Sequence, residues 1–270
     1  MIMLTNDDGI NADGLAALRE AFTAATKTAG GPLSGQKIVV VAPDSERSAC
    51  GHALTWLVPL HVDDVSFPHS EVPGVAVTGT PVDCVKLAVR MLYPQQIDLV
   101  VAGVNRGPNL GTDIFYSGTV SGAIEAAILG VPAIAVSLGA FESPDYTAAA
   151  RFAAYLAGEV LVRGLPAGTL LNVNVPAMPA EEMAGVAVTR LGVHRWEDTY
   201  VKRQDPRGRT YYWLTGHALD EREAPGTDVQ ALRDNLISVT PIHLDLTAHD
   251  FLPQLQSWGL SDWGGVRAKA

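Results

Sequence analysis

Asp7 and Asp8 stand side by side in Leu4-Thr-Asn-Asp-Asp-Gly-Ile10, directly after a short apolar run. Adjacent carboxylates repel, and a hard divalent cation relieves that repulsion while taking their oxygens as ligands. The same residues could form a plain turn, with Asp8-Gly9 as a turn dipeptide and Asp7 as a helix cap. Their place favours the metal, because two charges at the end of a buried strand need a counter-charge. Ser48 closes Ala42-Pro-Asp-Ser-Glu-Arg-Ser48, where its hydroxyl is a candidate neutral ligand and Arg47 a candidate partner for phosphate. Asn105 follows another apolar run and offers an amide oxygen. Two carboxylates with two neutral oxygens suit Mg²⁺, Mn²⁺ or Ca²⁺ rather than zinc.

The glycine-rich stretch from Gly103 to Val120 leads into a helix start at Ser117-Gly118-Thr119. Free amides at a helix start, with two hydroxyls, make a phosphate site, and N-capping by Ser117 or Thr119 is compatible with that use. Asn109 in the same loop, with Ser117, Gly118 and Thr119, is expected to hold the phosphate oxygens that a metal leaves free. The implied chemistry is metal-assisted phosphoester hydrolysis. Asp7 or Asp8 would act as general base for water, or one of them would attack and form an aspartyl-phosphate. The sequence does not separate these routes. No histidine pair has metal spacing and no serine lies in a nucleophile elbow, so Ser–His–Asp hydrolysis is disfavoured; His52, near the Ser48 loop, reads as structural.

These residues need strands to carry them. Ile2 to Thr5, Ile38 to Ala42, Val75 to Thr78, Leu99 to Ala102 (ended by Gly103), Ala133 to Ser137 and Leu170 to Val175 are short apolar runs that read as strands. Between them, Leu15, Leu18, Ala21 and Phe22 recur at helical spacing, and Thr80-Pro81 opens a helix carrying Val85, Leu87, Ala88 and Met91. Further helices run to Leu129 and from Ala148 to Val162. Continuous apolar strands alternating with amphipathic helices predict an α/β fold, a doubly wound and mostly parallel sheet that binds ligands beyond its strand C-termini. The clusters Asn6–Asp8, Asp44–Ser48 and Asn105–Asn109 all follow such strand ends.

The 270 residues allow one large domain with an appendage. Residues 1–180 form the phosphatase core in this reading, 181–250 a β-rich oligomerisation segment with a returning strand, and 251–270 a tail that is loose from Ser261. Between Val186 and Thr215, Trp196, Tyr200, Tyr211, Tyr212 and Trp213 flank the turn Arg203–Arg209, an aromatic arm suited to cover by another subunit. Asp228 to Asp234 reads as a helix and Leu236 to Thr240 as a strand. Cys50 and Cys84 are too few for a disulfide framework and read as core or near-core residues. A net charge of −10 excludes tracking of long nucleic acid, no apolar run is long enough to span a bilayer, and the start lacks a basic signal region, which points to the cytoplasm.

In order and combination, Leu4–Ile10, Ala42–Ser48, Gly79-Thr-Pro-Val-Asp-Cys-Val85, Gly103–Gly111, Tyr116-Ser-Gly-Thr-Val120, Gly130–Ser137 and Ser238-Val-Thr-Pro241 resemble the SurE (survival protein E) family of 5′/3′-nucleotidases. The resemblance covers residues 1 to about 245. It departs at Ala126, where the family usually has Gly after the glutamate, and at Ala49; the stretch Gly30–Gln36 lies outside it. The resemblance implies a Rossmann-like core and one divalent ion per subunit, Mg²⁺ or Mn²⁺, on Asp7, Asp8, Ser48 and Asn105. It also implies segment exchange between subunits in a homodimer or homotetramer. The implied activity is release of phosphate from nucleoside 5′- and 3′-monophosphates, with short polyphosphate as a side substrate in some members. A phosphatase for a non-nucleotide ester and a non-catalytic nucleotide sensor are the rival readings.

Overall fold

The computed structural model describes residues 1–142, 144–193, 196–218 and 223–260. In chain order the first elements are β1 (Ile2–Thr5), α1 (Asp13–Lys27), β2 (Ile38–Pro43), β3 (Val62–Val65), β4 (Gly74–Val77) and α2 (Pro81–Leu87). Then come β5 (Leu99–Arg106), α3 (Gly118–Ile128), β6 (Ala133–Leu138), α4 (Thr147–Arg163), β7 (Thr169–Val175) and β8 (Gly185–Val188). The last are β9 (Trp196–Gln204), β10 (Thr210–Ala218), α5 (Asp228–Arg233), β11 (Leu236–His243) and the short α6 (Leu252–Gln256).

Nine strands form one sheet in the order β3-β4-β2-β1-β5-β6-β7-β11-β8, parallel through its centre and antiparallel only at β3–β4 and β7–β11. Side-chain alternation sends Ile2, Leu4, Val40 and Val101 to one face, where they meet Leu15, Leu18 and Phe22 of α1 and the alanines of α4. Met3, Val39, Val41 and Val100 point the other way, against Cys84 and Val85 of α2 and Val120 and Ala123 of α3. Each large aliphatic or aromatic side chain sealed this way contributes about 1.5–3 kcal/mol before the entropy cost of ordering it. Both faces are covered, so this is the doubly wound, Rossmann-like architecture that uninterrupted apolar strands require. Among the described residues no helix is long and apolar enough to cross a membrane.

Several boundaries differ from the sequence expectation. The strand beginning at Leu99 does not end at Gly103; it runs on to Arg106 through a bulge, with Ala102 opposite Ala135 and Asn105 opposite Ser137. Gly103 is a bulge residue rather than a stop: its φ is +141°, and a Cβ there would lie 2.3 Å from the Val136 carbonyl oxygen. The helix from Pro81, capped by a Thr80–Asp83 capping box, ends at Leu87 and becomes a π-helical turn over Ala88–Leu92. That turn carries Met91 outward, 72% exposed, off the apolar face its spacing suggested. Within Gly30–Gln36, Leu33 inserts into the core under α1 and α4. The edge strand β3 carries no clear apolar alternation, which is why its sequence did not announce it.

The 181–250 segment divides. β8 and β11 extend the main sheet beside β7, while β9 and β10 form a separate two-stranded antiparallel ribbon. Tyr200, Tyr212 and Trp213 on this ribbon are 67%, 58% and 62% exposed in the single chain. The tail Ser261–Ala270, expected to be loose, and the side chain of Trp196 lie outside the described residues.

Candidate active site

The winding of the sheet reverses between β1 and β5: β1 leads through α1 to β2 on one side, while β5 leads through α3 to β6 on the other. β1 and β5 are neighbours, with Thr5 opposite Ala102, so the loops leaving their C-terminal ends diverge and open a crevice. Asp7 and Asp8 leave β1, Asn105 and Arg106 end β5, and Ser48 follows β2. A cavity of about 780 Å³ is lined jointly by Asp7, Asp8, Ser48, Asn105, Asn109 and Ser117. Gly118 and Thr119 stand behind it, against Asp7.

Asp7 is buried, and its pKa is raised to about 6. Burial is the main cause; the Thr119 hydroxyl pulls the value back and the neighbouring charge of Asp8 pushes it up again. The Thr119 hydroxyl donates directly to Asp7 Oδ1. Ser117, not Thr119, caps α3, accepting from the Val120 amide at 3.1 Å, which leaves Thr119 for the carboxylate. Gly118 permits the close approach, since a Cβ there would fall 2.8 Å from both Cβ and Oδ2 of Asp7. The helix start assigned to phosphate on sequence grounds therefore also supports Asp7.

Asp8 is half-buried, and burial raises its pKa, opposed by the Arg106 backbone N–H and the Arg106 charge. The Asn105 amide nitrogen donates to the Gly107 carbonyl at 2.8 Å, so its hydrogens are occupied while the residue faces the cavity. Ser48 is exposed on the cavity wall and donates to Glu46 at 2.6 Å. Asn109 is tied down from several directions. Its amide nitrogen donates to Ser137 Oγ at 2.7 Å, its backbone N–H donates to Asn174 Oδ1 at 2.8 Å, and its carbonyl accepts from Asn172 and Asn174. Arg47 turns to Asp44 at 2.9 Å and is not a wall of the cavity.

Some functional groups gave no signal in the sequence. Asp228, at the start of α5, accepts from the Gly111 backbone N–H at 2.9 Å and the Gly192 backbone N–H at 2.7 Å, pinning the glycine-rich loop to the base of the hairpin. Tyr116, Phe141, Tyr200 and Leu214 add an apolar wall to the cavity. The adjacent loop is held by Glu125, which accepts from Lys86 at 2.6 Å and pairs with His52 at 3.0 Å. Burial alone would raise the Glu125 pKa; the His52 and Lys86 contacts outweigh it and hold the value below the usual range. His52 thus tethers a loop, in keeping with its structural reading.

The chemistry of the donor set suits a hard divalent cation. Both carboxylates are raised by burial, and the buried Asn6 Oδ1 beside them has no hydrogen-bond donor. Among the described residues no group of three His, Cys, Asp or Glu converges on a metal position, so a cation here must also use neutral oxygens such as those of Asn105 and Ser48.

The family model described as Survival protein SurE matches residues 2–198. A protein named 5′-nucleotidase SurE from Symbiobacterium thermophilum is 50% identical over 261 residues, covering 97% of this chain and 99% of its own length. One of the same name from Geobacter sulfurreducens is 51% identical over 262 residues, covering 96% and 94%. The crystal structure of the SurE protein from Aquifex aeolicus superimposes with a TM-score of 0.78 at 40% identity, covering 95% of this chain and 98% of that one.

Proposed function

The chain belongs to the SurE family, and from that premise we propose that it is a divalent-metal-dependent phosphatase that hydrolyses nucleoside 5′- and 3′-monophosphates to nucleoside and phosphate. The observation that carries the proposal is the convergence of Asp7, Asp8, Asn105 and Ser48 on one cavity at the switch point of the sheet. Near full-length relatives named 5′-nucleotidase support the 5′-monophosphate part of this reading.

Asp7, Asp8, Asn105 and Ser48 would hold Mg²⁺ or Mn²⁺, which when bound supplies Lewis-acid stabilisation of charge developing on the phosphoryl oxygens. Thr119 and Gly118 keep Asp7 in one position, so its carboxylate needs little reorganisation. Asp8 is the more accessible of the two and is the better placed to take a proton from attacking water as the P–O ester bond breaks and the proton balance passes to the alcohol. Asn109, held by Asn172, Asn174 and Ser137, keeps the loop and the start of α3 at a fixed spacing from Asp7. Tyr116, Phe141 and Tyr200 provide apolar faces on which a base or another leaving group can rest.

Phosphate release from 5′-AMP, 5′-GMP, 3′-AMP and short polyphosphate, with Mg²⁺ or Mn²⁺ and with chelator, tests the proposal. Reversible loss on chelation is expected, with turnover of the monophosphates. Full activity in chelator-treated protein would remove the metal from the account. Release from non-nucleotide esters alone would reassign the substrate, and binding of nucleotide with no release would make the protein a sensor.

A further inference from the structure

We propose that Arg106 is the clamp that grips the substrate's phosphate, an assignment that rests on the phosphatase reading above. Among the described residues lining the cavity it is the one cationic side chain, beside the carboxylates of Asp7, Asp8 and Asp113 in the same lining. Three carboxylates repel a phosphate dianion, and a divalent cation offsets only part of that charge. The backbone of Arg106 is fixed by pairing with Leu138 of β6 and by its N–H, 3.4 Å from Asp8 Oδ2. Its side chain is exposed and makes no hydrogen bond or ion pair among the described residues. A guanidinium rooted beside a candidate metal ligand, with its donors unspent, is set up to bind two oxygens of one phosphate in a planar fork. The other arginine near the site, Arg47, is spent on Asp44.

The position also explains why the bulge matters. The extra residue between Ala102 and Asn105 shifts the end of β5 by one place relative to β6, and a one-residue shift exchanges the faces on which Asn105 and Arg106 lie. The bulge therefore sets which of the two side chains lies on which face of the strand end, and both Asn105 and Arg106 line the cavity there.

The test uses the intact protein and its variants Arg106→Ala and Arg106→Lys. Two bindings are measured by calorimetry: inorganic phosphate titrated in the presence of Mn²⁺, and Mn²⁺ titrated without phosphate. Arg106→Ala is expected to weaken phosphate binding about tenfold or more and to raise KM for 5′-AMP by a similar factor, with a smaller change in kcat. Arg106→Lys should recover part of the loss. Mn²⁺ binding should hold or tighten, because a positive charge beside Asp8 has gone. Opposite signs for the two ligands mark a phosphate clamp, whereas a disturbed loop weakens both. Unchanged phosphate binding in Arg106→Ala, joint weakening of phosphate and Mn²⁺, or no phosphate binding by the unaltered protein would each overturn the proposal. If the unaltered protein cleaves no phosphate ester yet binds inorganic phosphate through Arg106, the clamp stands and the hydrolytic reading falls.

Discussion

The strand-end site and the β9–β10 ribbon are built on opposite plans. At the site three residues are held by partners distant in sequence: Asp7 by Thr119, Asp8 by the Arg106 backbone, and Asn109 through its side chain by Ser137 and through its carbonyl by Asn172 and Asn174. On the ribbon the described pairing is only between its own two strands, Thr210 opposite Gln204 through Ala218 opposite Trp196, and its rings face outward. An isolated two-stranded ribbon is at best marginally stable in water. We propose that the ribbon finds its cover outside the single chain. We take that cover to be a second copy of the chain. Tyr200, Leu214, Thr215 and Gly216 also reach the cavity wall, so the two regions meet there.

The widest separation between the regions is expected from Asp8→Asn or Asp7→Asn. Either keeps the side-chain volume and removes one anionic oxygen, so turnover should fall about 10²-fold or more while circular dichroism stays unchanged. Normal turnover in both variants would reduce the pair to a turn.

The second test uses pH. The Asp7 pKa, raised from 3.8 to about 6, means that the folded state favours the protonated acid. Its contribution to stability is then complete below about pH 4 and is lost as pH rises through 6, a difference of up to about 3 kcal/mol in metal-free protein. Asp7→Asn lacks this titration. Denaturant melts of the chelated proteins should show the variant gaining on the parent between pH 4 and 6.5, and Mn²⁺ should narrow the gap at neutral pH. A constant difference across that range would mean that Asp7 ionises without penalty.

A third change probes the packing behind the carboxylate. Gly118→Ala places a methyl 2.8 Å from Asp7 Cβ and 3.0 Å from Cys50 Sγ, contacts that require Asp7 or α3 to move. A loss of about 1–3 kcal/mol in stability and roughly tenfold in kcat is expected. If chemical melts and kinetics match the parent, the site tolerates more movement than its packing suggests.

The smallest effect on chemistry, though a visible one on assembly, is expected from replacing residues 200–213 with a short Gly-Ser turn. The main sheet should stay folded, activity should drop a few-fold with the lost wall, and light scattering should show a shift toward monomer. Each covered ring contributes roughly 1.5–3 kcal/mol to such an interface. An unchanged mass at micromolar concentration would show that the ribbon is not the assembly element.

Hydrophobic periodicity alone determined the strands of the central sheet, the helices between them and the gathering of Asn6–Asp8, Ser48 and Asn105 at strand ends, because burial on both faces leaves a local trace in the chain. The same local signals misled at Gly103 and Met91, where a glycine marked a bulge rather than a stop and a helix loosened into a π-turn. Contacts across the fold were not legible. Thr119 reaches Asp7 from 112 residues away and Asp228 reaches Gly111 from 117. No spacing rule distinguishes Arg106, which lines the cavity, from Arg47, which pairs with Asp44. Strand register, the extra residue in β5 and the approach of α3 to β1 decided those relations. They depend on how whole elements pack, and a neighbourhood of a few residues carries no record of that.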